Sequence, residues 1–61
     1  MALRLYVGPM DAIVVEVDRD GRVRLENEEW AEPTLQEKRA IIYEAKRAIE
    51  ELTELIDILQ R

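Results

Sequence analysis

From Leu35 to Gln60 the chain runs for 26 residues without a glycine or a proline. Strong helix formers dominate that stretch, so it predicts one helix about 39 Å long. Thr34 followed three residues later by Glu37 predicts a capping box at its start, which sets the helix at residues 34–60. Apolar side chains recur at Ile42, Ala45, Ile49, Leu52, Ile56 and Leu59, in alternating steps of three and four. This is a heptad seam. A second row, Ile41, Ala48 and Leu55, runs beside it, and the two rows together cover about 160° of the helix surface. Glu44, Arg47, Glu50, Glu51 and Glu54 occupy the opposite face, with Lys46–Glu50 and Arg47–Glu51 at ion-pair spacing.

The first 26 residues read differently. Leu3 to Val7, Ile13 to Val17 and Val23 to Leu25 each alternate with period two, the pattern of a half-buried antiparallel sheet. Gly8-Pro9-Met10-Asp11 and Asp18-Arg19-Asp20-Gly21 punctuate the gaps. A type I turn with a Gly21 bulge pairs Val17 with Val23, Glu16 with Arg24 and Val15 with Leu25, keeping apolar against apolar. The same logic in the first hairpin pairs Val7 with Ile13, Leu5 with Val15 and Arg4 with Glu16. Asn27 to Pro33 reads as an acidic connector, in which Trp30 plugs one end of the core. The expectation is an α+β fold in one domain over residues 1–61. A three-stranded antiparallel β-meander (1–26), a connector (27–33) and one long C-terminal amphipathic helix (34–60) follow in the order β-β-β-α. Leu3, Leu5, Val7, Ile13, Val15, Val17, Val23 and Leu25 are expected to pack on the Ile41, Ile42, Ala45 and Ile49 stretch.

Lengths then limit what one copy can do. Strands of five or six residues span roughly 17–20 Å, about half of the helix. Leu52 through Leu59 would face water in a monomer, and a 61-residue chain buries little surface on its own. The sequence therefore predicts oligomerisation through the helix, a homodimer before higher forms. Ile42, Ala45, Ile49, Leu52, Leu55, Ile56 and Leu59 form the interface, and the flanking Glu, Lys and Arg residues set register and partner choice.

Chemistry is excluded more firmly than it is suggested. Cysteine, histidine and serine are all absent, which removes disulfides, thiolate and imidazole metal ligands, and the usual nucleophiles and bases. Glu26, Glu28, Glu29 and Glu32 lack the spacing of a calcium loop, so no metal and no cofactor is expected. No apolar run suits a membrane span or a signal-peptide core, and a cytoplasmic, non-enzymatic protein is the expectation. The net charge of −5 opposes nucleic-acid binding, and residues 1–26, with four cations against five anions, form no basic half. The alternative places Arg4, Arg19, Arg22 and Arg24 on nucleic acid as a strand-based DNA-binding regulator. Val17-Asp18-Arg19-Asp20-Gly21-Arg22-Val23-Arg24-Leu25 is similar to the hairpin of swapped-hairpin antitoxins and transition-state regulators, a likeness of nine residues centred on a common turn. That resemblance implies an antitoxin or a regulator. Those proteins continue with a proline, a short helix and further strands, where this chain has Glu26-Asn27-Glu28-Glu29 and one long helix. A third hypothesis is an acidic protein that binds a basic partner surface through Glu28, Glu29 and Glu32. The Arg- and Glu-rich composition suits a thermostable protein of thermophilic origin, and equally a de novo designed homo-oligomer.

Overall fold

The computed structural model describes residues 1–61 and shows an antiparallel sheet followed by one C-terminal helix. Strand β1 (Ala2–Val7) leads through a single 3-10 turn (Gly8–Met10) into β2 (Ala12–Val17), then β3 (Val23–Leu25), β4 (Trp30–Ala31) and the helix α1 (Leu35–Leu59). The sheet order is β1-β2-β3-β4. There are four strands rather than three. The expected connector is folded back: Asn27 takes a left-handed conformation at φ 66°, which asparagine tolerates better than most residues, and Glu28 N–H donates to the Leu25 carbonyl. That turn lays Trp30 beside Arg24 and Ala31 beside Val23. Trp30 is consequently exposed on the sheet rather than plugging the core.

The β2–β3 hairpin has the turn its sequence calls for. Gly21 sits at φ 86°, its N–H donates to the Asp18 carbonyl, and Glu16 and Val17 pair with Arg24 and Val23. Beyond Glu16 the pairing slips. Leu25 lies opposite Val14, not Val15, and the β1–β2 register shifts at the same place. Leu5 therefore faces Val14, Tyr6 faces Ile13, and Val7 faces Ala12, each one residue away from strict alternation. Val15 pairs with neither neighbouring strand. The irregularity reverses the phase of β2, so Val14 enters the core where Val15 was expected. Ile13 shares the outer face with Tyr6. Arg4 is also displaced, and it pairs with Glu26 instead of Glu16.

Only four of the 61 residues are buried, and the core proper is Val7, Val14 and Val23. Leu3, Leu5, Met10, Val17, Leu25, Ala40 and Ile41 pack around these valines. The helix contributes Ala40 and Ile41 to this contact. Ala40, Ala45 and Ala48 are half-buried, whereas Ile42 and Ile49, expected against the sheet, are exposed. Ala40 and Ala48 let the helix axis approach the sheet beside Ile41, and Ile42 and Ile49 are left on the open flank. The capping box is complete: Thr34 Oγ1 accepts from Glu37 N–H at 3.1 Å and Glu37 Oε1 accepts from Thr34 N–H at 2.8 Å. A cap of this kind contributes about 1 kcal/mol.

Candidate interface on the long helix

The sheet accompanies α1 only through about Ala48; every residue from Ile49 to Arg61 is exposed. Two heptad positions build the open stripe. Leu35, Ile42, Ile49 and Ile56 follow one another at intervals of seven, and Ala45, Leu52 and Leu59 do the same three residues later. Of the seven seam residues expected from the sequence, six are between 49% (Leu55) and 74% (Leu59) exposed, and Ala45 is half-buried. They lie on one continuous face, and the sheet covers none of its second half. Leu35 and Ile58 are also uncovered and were not in the expected set. Leu35 was detectable as the residue one heptad before Ile42, whereas Ile58 stands outside both rows.

Size scaling shows how incomplete the single chain is. A compact 7.2 kDa monomer exposes about 4,100 Å², and this chain exposes 5154 Å², an excess of about 1,000 Å². Its radius of gyration is 13.0 Å, where a compact domain of this length has about 10.5 Å. The longest extent, 42 Å, is little more than the helix itself. A standard interface buries about 800 Å² per partner. The surplus surface is thus of the size one partner would cover.

The stripe also opens into a groove. Val17, Val23, Pro33, Ile41 and Ile42 line an apolar hollow of about 320 Å³ between α1 and the β2–β3 end of the sheet, with Lys38 at its rim.

The arginines proposed for nucleic acid do not form a free cationic surface. Arg4 is paired with Glu26, Arg24 with Glu16 at 2.9 Å, and Arg22 with Asp18 at 2.9 Å and Asp20 at 3.7 Å. Arg19, at the turn, makes no ion pair. The acidic residues do not converge either: no group of three or more carboxylates is placed to hold a metal ion. No helix is long and apolar enough to cross a membrane. On the outer sheet face the Tyr6 hydroxyl donates to Asp11 at 2.9 Å, and that bond to a carboxylate holds the phenol above its ordinary pKa.

Asp18 organises the hairpin turn. Its carboxylate accepts from the backbone N–H of Asp20 and of Arg22 and from Arg22 Nε, each at 2.9 Å. Partial desolvation acts to raise its pKa, but the Arg22 and Asp20 hydrogen bonds and the Arg22 charge outweigh it, and the net shift is downward. A carboxyl group with a lowered folded-state pKa stabilises above its unfolded value of about 4 and loses that contribution as pH falls through the folded value. Asp18→Asn is therefore expected to lower the urea midpoint at pH 7. The gap to the parent chain should close as pH falls below about 4 and through the lowered folded-state value. A gap independent of pH would show that the charge of Asp18 does not matter.

Comparison with protein families, with curated proteins and with solved structures finds no match.

Proposed function

We propose that this chain is a non-enzymatic oligomerisation module, an accessory subunit or small regulator, that works as a homodimer through the open stripe of α1. The carrying observation is the uncovered apolar face of α1, with Ile42, Ile49, Leu52, Leu55, Ile56 and Leu59 all exposed, in a chain whose surface exceeds that of a compact monomer by about 1,000 Å². At roughly 25 cal/mol per Å² of apolar surface, covering such a face supplies a driving force large enough to offset the cost of association. The function is then to bring two copies, and whatever each carries, into fixed proximity. The charged residues beside the seam select the partner and its register.

The solution mass tests this directly. Light scattering on a sizing column, repeated across a concentration series, is expected to give about twice the 7.2 kDa of one chain. A folded species of 7.2 kDa at every concentration would overturn self-association and leave the stripe to a different protein.

A further inference from the structure

Resting on that reading, we infer that the two helices run antiparallel, with the two-fold axis between Ile49 and Leu52. In that register the C-terminal turn of each copy closes the apolar groove of the other. Three observations carry the inference.

The seam is self-complementary only in this sense. If the paired positions add to 101, Ile42 meets the partner's Leu59, Ala45 meets the partner's Ile56, and Ile49 meets the partner's Leu52. All six residues of the heptad row are used, and the small Ala45 faces a large side chain rather than another alanine. Parallel pairing in register instead sets Ala45 on Ala45, which leaves a gap, and Lys38 on Lys38. Lys38 is one heptad before Ala45 and so stands in line with the seam. In the antiparallel register Lys38 falls beyond the last seam residue of the partner and stays in water.

Charge points the same way. Along the helix flank turned away from the sheet the charged residues are Arg39, Lys46, Glu50 and Asp57, two cations followed by two anions. Arg39, Lys46 and Glu50 make no ion pair within the chain, although Lys46 and Glu50 have the spacing for one; Asp57 is bonded to Arg61 at 2.8 Å. In a parallel pair this flank lies against the partner's Ile41, Ala48 and Leu55 row, which carries no anion to answer Arg39 or Lys46. Antiparallel helices bring Lys46 within about 3 Å, along the axis, of the level of the partner's Asp57. They also bring Arg39 beside the last turn of the partner helix, which itself holds no basic residue.

The groove supplies the third observation. With Leu59 of one copy level with Ile42 of the other, the exposed Leu59 arrives at the hollow lined by Val17, Val23, Pro33, Ile41 and Ile42. The half of the helix that its own sheet fails to cover is thereby placed against the sheet end of the partner.

Distances between spin labels decide the matter. The chain has no cysteine, so Gln60→Cys and Gln36→Cys each carry one label per copy, both off the seam. From the helical rise, the inferred register gives intermolecular distances of about 30 Å at residue 60 and about 45 Å at residue 36. Parallel pairing gives short distances, about 10–15 Å, at both positions, and would overturn the orientation while leaving the dimer standing. Antiparallel pairing displaced by one heptad gives about 40 Å and about 34 Å, and would overturn the register. No intermolecular coupling in a 7.2 kDa species would overturn the dimer itself.

Discussion

Leu52→Glu is expected to convert the proposed dimer into folded single chains of 7.2 kDa. Leu52 is 57% exposed in one copy and touches no part of the valine core, so its own fold does not depend on it. In the dimer it sits next to the two-fold axis, opposite Ile49, and the contact occurs twice. Each buried leucine contributes about 1.5–3 kcal/mol. Each glutamate must in addition be either stripped of water or protonated, at a further cost of a few kcal/mol. Two such sites weaken the dimer by at least about 5 kcal/mol, more than a thousandfold in Kd. The check is light scattering at matched concentrations, with circular dichroism to establish that the helix persists. A variant that keeps the mass of the parent assembly would remove Leu52, and with it the seam, from the interface.

The helix and its cap were legible because they rest on local rules: no breaker for 26 residues, and a Thr34–Glu37 pair that satisfies its own hydrogen bonds. The Asp18–Gly21 turn was legible for the same reason, since a left-handed position at residue 21 calls for glycine. What failed to show depends on tertiary contact. Val14 and Val15 are the same residue type, and alternation alone cannot say which of two adjacent valines faces inward once the register slips. A two-residue strand such as Trp30–Ala31 is too short for any period to appear; its only sign was an asparagine able to reverse the chain. The helix wheel was ambiguous for a related reason. Its apolar rows are wider than one sheet contact needs, and the sheet took the side of Ala40 and Ile41.

That division explains why Ile42 and Ile49, expected against the sheet, are exposed. Hydrophobic periodicity reports that a face wants cover, and it does not report what covers it. Ile42 and Ile49 were divided between sheet and interface on length alone. Side-chain volume alone does not divide the two sides either: Ile41 packs on the valine core beside Ala40, while Ile42 and Ile49 stay exposed.

Val14→Asp abolishes the cooperative unfolding transition, whereas Val15→Asp leaves one to be measured. Val14 has no solvent exposure and stands in a core whose only other buried side chains of that face are Val7 and Val23. The arginines of the sheet that could answer a carboxylate are committed elsewhere, Arg4 to Glu26 and Arg24 to Glu16. An unpaired charge at that point costs several kcal/mol, and a single small core of this size supplies about 3–5 kcal/mol in all. Val14→Thr grades the effect: it keeps the branched shape, leaves one hydroxyl without a partner, and costs about 1–3 kcal/mol. Val15 is half-buried and unpaired on both sides, so an aspartate there reaches water by a small rotation. Thermal melts followed by circular dichroism on the four chains rank them parent, Val15→Asp, Val14→Thr, Val14→Asp. The reverse order at residues 14 and 15 would mean that β2 keeps strict alternation through Glu16, and the slip in register at Val15 would have to be abandoned together with the core built on it.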